Sequence, residues 1–150
     1  MRWLISCLMP LVVLSPCPAQ GELPATPEGV LPYLEAVYTK GDIEGYADLL
    51  AADYTFVLED MSASWDAATD VKGTRKLFEA ASAQITFSKD SAVQPGSQPG
   101  TWVIEHVTCV LAVTQKKDGK AWKVENTVSF VIRKEDGRMR IVEWRQHPDE

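Results

Sequence analysis

The sequence has little of what many enzymes and metal proteins rely on. Of its 150 residues only two are histidine, His106 and His147, and three are cysteine. Cys7 and Cys17 fall in the first twenty residues, which leaves Cys109 alone in the remainder. A lone cysteine cannot close an internal disulfide. In the apolar run VTCVLAV it reads as a small buried hydrophobe. No His-x-x-x-His or Cys-x-x-Cys spacing occurs, so no metal site is expected, and no cofactor is expected. Positive charge is scarce as well. Lys and Arg number 15 against 21 Asp and Glu, a balance of −6. Nucleic acid and anionic lipid surfaces both call for basic patches, so neither is an expected partner. There are no repeats and no low-complexity segments. The longest apolar run, Trp3–Leu14, is shorter than the roughly 20 residues of a membrane-spanning helix.

That run instead has the setting of a secretory leader. Met1-Arg2 is a short positive start, the apolar run follows, and SPCPAQ closes it with small residues and prolines. A signal peptide is expected over residues 1–19, with cleavage after Ala19 and a secreted or periplasmic product. The alternative is a lipid anchor on Cys17 after Leu14-Ser15-Pro16, a pattern from which Pro16 departs. Loss of residues 1–19 removes one charged side chain, Arg2, and takes the balance from −6 to −7. Residues 20–26 read as a linker, 27–147 as a single domain and 148–150 as a tail.

Within the domain the hydrophobic period changes from helical to strand-like. Thr26-Pro27-Glu28 is a helix start, and Val30, Leu34, Val37 and Tyr38 share a helix face. Pro32 predicts a kink or a helix beginning properly near Leu31. Gly41 predicts a left-handed helix end, and Asp42 the cap of a second helix with stripe Ile43, Tyr46, Leu49 and Leu50. From about Asp53 the pattern alternates, with Tyr54, Phe56 and Leu58 on one face. A third helix is expected over roughly 67–82, with stripe Val71, Thr74, Leu77, Phe78 and Ala81. Gly73 lies among these residues, where close packing would account for a glycine. Strands then follow one another: 84–93, 101–116, 121–134 and 138–147, the last three joined by turns at Asp118-Gly119 and Asp136-Gly137. Trp122, Val124, Asn126, Val128, Phe130 and Ile132 share one face of the third of these. The fold class expected is α+β, with three N-terminal helices packed on one face of a strongly curved antiparallel sheet.

Four segments carry a family likeness: Tyr33-Leu34-Glu35-Ala36-Val37, Lys40-Gly41-Asp42, Leu49-Leu50-Ala51-Ala52-Asp53 and Gly137-Arg138 with Ile141-Val142-Glu143-Trp144. In that order they resemble the nuclear transport factor 2-like superfamily, the cone-shaped fold of steroid isomerases and polyketide cyclases. The resemblance implies a cavity between helices and sheet, and a homodimer through the sheet face. Registered on Gly41-Asp42 and on the Ala-Asp before the strand, the isomerase tyrosine falls on Leu34 and its base on Leu58. Neither side chain can move a proton, which argues against that chemistry.

The expected ligand is therefore a small apolar molecule in a non-catalytic cavity, surrounded by Tyr33, Tyr54, Phe56, Trp65, Phe78, Asn126 and Phe130. Asn126 stands out as an amide on an otherwise apolar face. A lyase or isomerase using Glu105 or Glu59 as base is the alternative. A dimerisation module with a filled core is the third reading. Glu105 and His106 point to opposite faces of their strand and share a pocket only if a bulge intervenes.

Overall fold

The structure, a computed structural model, describes residues 22–89 and 91–149. The leader expected over 1–19, and its Cys17 alternative, lie outside the described residues. The chain enters through a 3-10 turn, Pro27–Gly29, and continues into helix α1, Val30–Lys40. Pro32 is the third residue of α1, where a backbone N–H would have no intrahelical partner, so it costs no hydrogen bond. Gly41 adopts φ 63°, and the Gly41 and Asp42 amides donate back to the Tyr38 and Val37 carbonyls. This closes α1. Asp42 then caps helix α2, Ile43–Leu49, through the Gly45 amide at 3.0 Å. A Cβ on Gly45 would stand 2.5 Å from Asp42 Oδ2 and 3.2 Å from the Tyr33 hydroxyl, so the cap itself demands glycine there.

Strand β1, Leu50–Leu58, follows α2 directly and starts three residues earlier than its alternation predicts. A short strand β2, Ala63–Asp66, pairs antiparallel with it. Asp66 caps helix α3, Ala67–Ala80, through the Thr69 amide at 2.9 Å. The third helix is shorter than expected because Ala81 turns extended to pair with Gln115, so strand β3 runs Ala81–Phe87. Strands β4, Val93–Pro95, β5, Thr101–Gln115, β6, Ala121–Glu135, and β7, Arg138–Gln146, complete the sheet. Asp136 and Gly137 both have positive φ, the backbone of a two-residue hairpin turn.

The main path of the sheet is β2-β1-β7-β6-β5-β3, with β4 on the outer part of β5. The fold is α+β, with three helices on one face of a curved, open sheet. Among the described residues all pairings are antiparallel except one, since the final strand β7 returns to lie parallel to β1. Alternation within each strand sets faces but not neighbours, so this join had no local signal. Bulges interrupt β5 between Ile104 and Val107 and the β6–β7 ladder at Val131 and Ile132. Each bends its strand and helps the sheet wrap the helices.

Core residues come from every layer: Leu34 and Val37 of α1, Tyr46 of α2, Tyr54 of β1, Phe78 of α3, and Ile104, Phe130, Ile132 and Ile141 of the long strands. Cys109 is buried among them. The face shared by Trp122 through Ile132 is buried only from Val128 onward, and Trp122 is 43% exposed. β6 has 15 residues, about 50 Å of strand, and α3 has 14, about 21 Å of helix, so the β5–β6 hairpin overhangs its cover. Of the stretch read as a linker, the described residues begin at Glu22, and Pro24 is docked there, its carbonyl accepting the Met139 amide at 2.8 Å. Gly73 meets nothing within 4 Å, so close packing does not account for it and the structure offers no other reason.

Candidate functional site

The register of the sheet builds an aromatic row across its concave face. Trp65 of β2 pairs with Phe56 of β1, Phe56 with Trp144 of β7, Trp144 with Phe130 of β6, and Phe130 with Ile104 of β5. Directly opposed residues on neighbouring strands lie on one face, so the rings touch in sequence. Phe56 stacks on Trp65 with centroids 4.7 Å apart and planes 8° from parallel. Trp144 lies 5.8 Å from Phe56 and 5.0 Å from Phe130. Phe87 reaches in from β3 to within 5.7 Å of Phe130. Trp144 is only 6% exposed, and its Nε1 has no hydrogen-bond partner among the described residues. A buried, unpartnered N–H costs on the order of 1–3 kcal/mol, so it needs a reason.

Beside this row sits a carboxyl held by tyrosines. Asp70 of α3 accepts both the Tyr46 hydroxyl at 2.9 Å and the Tyr54 hydroxyl at 2.6 Å on the same oxygen, Oδ2. The Trp65 indole also faces this carboxyl. Tyr38 closes the cluster edge-on to Tyr46, with centroids 5.8 Å apart. Two effects oppose each other at Asp70. Burial disfavours the carboxylate, and the hydrogen bonds from Tyr54, Tyr46 and Trp65 favour it; burial is larger, so the pKa is raised. The hydroxyls of Tyr46 and Tyr54 are pushed up too, first by burial, and then by the neighbouring phenols at Tyr46 and by Asp70 at Tyr54. Both phenols therefore stay protonated donors at any ordinary pH. The arrangement can hold a polar group or pass a proton, because its one carboxyl is half-buried rather than sealed.

Sequence reasoning passed over Asp70, although a signal was there. It stands four, seven and eight residues before Thr74, Leu77 and Phe78, on the apolar stripe of α3. An acid on such a stripe must either be paired or be functional.

The seven residues expected around a ligand do not all meet. Phe56, Trp65 and Phe130 belong to the aromatic row, and Tyr54 adjoins it through Asp70. Phe78 packs against Tyr38 at 5.2 Å and lines a separate surface pocket of about 160 Å³ with Gly41 and Lys116. Tyr33 is half-buried, and its hydroxyl donates to the Gly45 carbonyl at 3.3 Å. Asn126 Oδ1 accepts from Gln146 Nε2 at 3.2 Å, a bond between neighbouring strands. The two carboxylates offered as bases lie elsewhere. Glu59 is paired with Arg145 and His147, and Glu105 is exposed on β5 beside His106. A bulge does intervene there, and Glu105 and His106 line one surface pocket together. Leu34 is fully buried and Leu58 half-buried, as apolar wall. Among the described residues no group of three or more His, Cys, Asp or Glu could hold a metal ion.

Known proteins bear on the fold more than on the site. The family model described as "SnoaL-like domain" matches residues 30–146. No curated protein matches the sequence. A conserved protein from Planctomyces limnophilus superposes with TM-score 0.69 at 9% identity, covering 79% of this chain and 89% of that one. A nuclear transport factor 2-like superfamily protein from Salmonella enterica gives 0.66 at 12% identity, covering 81% and 87%. A nuclear transport factor 2-like protein from Rhodospirillum rubrum, of unknown function in nutrient uptake, gives 0.66 at 21%, covering 82% and 98%. At such identities the likeness speaks for the fold alone. The helix-capped curved sheet, its parallel β1–β7 closure and the match over α1 to β7 agree: the chain belongs to the SnoaL-like domain family, within the nuclear transport factor 2-like superfamily.

Proposed function

We propose that the concave face binds a small, planar, mostly apolar molecule carrying one hydrogen-bond acceptor. The observation that carries this reading is Trp144 Nε1–H, a donor buried among Phe56, Phe87 and Phe130 with no partner among the described residues. Apolar binding sites orient their ligands with a few placed polar groups, and an indole N–H in an aromatic wall is such a group. Phe56 and Trp65 offer flat surfaces for stacking, and Asp70 a polar limit. Tyr33, Phe78 and Asn126 then serve the fold rather than the ligand. The secretory signal peptide expected over residues 1–19 supports a secreted or periplasmic setting for this binding.

Native mass spectrometry of the purified protein, followed by extraction of any retained molecule, tests the reading. Trp144→Phe keeps the ring and removes the donor. It should weaken binding of the retained molecule roughly 5- to 150-fold, the equivalent of about 1–3 kcal/mol. Unchanged affinity would refute the role of the indole N–H.

A second reading is an isomerase or lyase in which Asp70 moves a proton, and its raised pKa beside two fixed phenols favours it. The enzyme alternative thereby moves from Glu59 and Glu105 to Asp70. A recovered ligand incubated with protein in D₂O would exchange a C–H for C–D, and Asp70→Asn would stop it. Absence of exchange leaves binding alone.

A further inference from the structure

The opposite, convex face of the sheet carries a second cluster that the ligand site does not use. Glu59 directly follows β1, His147 directly follows β7, and Ser129 lies in β6. The Glu59 amide donates to the Gln146 carbonyl at 3.1 Å and the His147 amide to the Thr127 carbonyl at 2.9 Å, so the ladder extends past the strand ends. These bonds bring the three side chains into line. Ser129 Oγ is 2.7 Å from His147 Nε2, and His147 Nδ1 is 3.0 Å from Glu59 Oε2. The His147 side chain is only 17% exposed there.

The network sets the direction of each hydrogen bond. Arg145 donates from Nη1 to Glu59 Oε1 at 3.0 Å and from Nε to Glu143 at 2.8 Å. Arg145 first, and His147 second, hold the Glu59 carboxyl below its ordinary range. An ionised carboxylate only accepts, so neutral His147 must carry its proton on Nδ1. Nε2 then accepts the Ser129 hydroxyl. Opposite Ser129, the β5 bulge places His106 at φ 53°, a left-handed conformation uncommon outside glycine. There the His106 amide donates to Ser129 Oγ at 3.0 Å, and its ring stacks on His147 with centroids 4.7 Å apart. A strained bulge beside such a group is a feature held by its surroundings. Next to it opens a pocket of about 370 Å³ lined by Glu105, His106, Thr108, Ser88, Ser91 and Gln94.

We propose that Ser129, His147 and Glu59 form a nucleophilic relay that hydrolyses small carboxylic esters on the convex face. Ser129 Oγ bonds to the ester carbonyl carbon while its proton passes to His147 Nε2. Glu59 holds the Nδ1–H and stabilises the imidazolium. The C–O bond to the alcohol then breaks, and the departing oxygen takes the proton from Nε2. Water repeats the sequence on the acyl-serine: it attacks the acyl carbon, gives a proton to Nε2, and Ser129 leaves with that proton. The carboxylic acid is released. The His106 amide, bonded to Ser129 Oγ at 3.0 Å, holds the serine side chain in line with His147 Nε2. Glu105 in the polar pocket selects against anionic esters and favours neutral or cationic polar ones.

The test is labelling of the purified protein with a fluorophosphonate, read by intact mass and peptide mapping, beside hydrolysis of p-nitrophenyl acetate. A single adduct on Ser129 is expected. Hydrolysis should fall by at least about 100-fold in both Ser129→Ala and His147→Gln, since each removes one member of the relay. Labelling of the unaltered protein needs no variant to fold. No adduct on Ser129, an adduct formed equally fast in His147→Gln, or undiminished hydrolysis in Ser129→Ala overturns the proposal. Sedimentation of the same sample decides whether a second copy covers this face; a stable dimer with Ser129 unlabelled would assign the convex face to association and overturn the relay.

Discussion

Replacing Tyr54 by Phe isolates one atom at the heart of the concave site. The ring stays, so no cavity opens, and only the hydroxyl 2.6 Å from Asp70 Oδ2 is lost. Tyr46 at 2.9 Å still serves that oxygen. Burial raises the Asp70 pKa above its ordinary value of 3.8. Folded Asp70 thus keeps its proton to higher pH than the unfolded chain does. Its contribution to stability is full at low pH and is lost as pH rises through the folded pKa. The Tyr54 hydroxyl counters this loss by stabilising the carboxylate. Its removal should cost more at pH 8, about 2 kcal/mol, than at pH 4, about 1 kcal/mol, because the ionised fraction of Asp70 rises with pH. For a domain of this size that corresponds to a Tm lowered by about 4–8 °C at pH 8 and roughly half as much at pH 4. Urea titrations of both proteins between these pH values measure the difference. In an Asp70→Asn background the pH dependence of the cost should vanish. An equal cost at both ends of the range, or none at pH 8, would refute the reading of Asp70 as a strained, tyrosine-held carboxyl.

Three further outcomes follow from local geometry. Gly45→Ala should destabilise by about 1–2 kcal/mol in chemical denaturation, although alanine is the better helix former, because its Cβ meets the Asp42 cap; a stabilised variant would contradict the cap geometry. Asp42→Ala should cost about 1 kcal/mol through the lost bond to the Gly45 amide, and a neutral result would show the cap idle. Burial pushes the Cys109 thiol up to about 12, so a thiol reagent at pH 8 should label it only as fast as the protein unfolds. Immediate labelling in native buffer would place Cys109 outside the core.

The helical half of the chain was legible because its signals are local. Gly41 and Asp42 mark the end of α1 and the start of α2, and both act through neighbours within five residues. Asp118-Gly119 and Asp136-Gly137 mark the hairpins for the same reason. The short strands β2 and β4 were not legible. Each is extended only because β1 or β5 lends it an edge. The candidate site was half legible. Tyr54, Phe56, Trp65 and Phe130 stood out as large aromatics on alternating faces, but nothing in the alternation told which of them would be neighbours. Asp70 left one mark in the sequence, an acid on the apolar stripe of α3, but its partners Tyr46 and Tyr54 arrive from two other elements and no local pattern names them.

By itself the sequence determined the element types, the caps and turns, the α+β class, the superfamily and the burial of Cys109, since propensity, period and pattern act over a few residues. The tertiary structure alone decided the parallel β1–β7 join, the row from Trp65 to Ile104, the tyrosine-held Asp70 and the line of Ser129, His147 and Glu59. Each of these depends on register between strands distant in the chain. A slip of one residue would turn every side chain of a strand to the other face. Both sites exist because long-range pairing chose one register, and no short stretch of sequence records that choice.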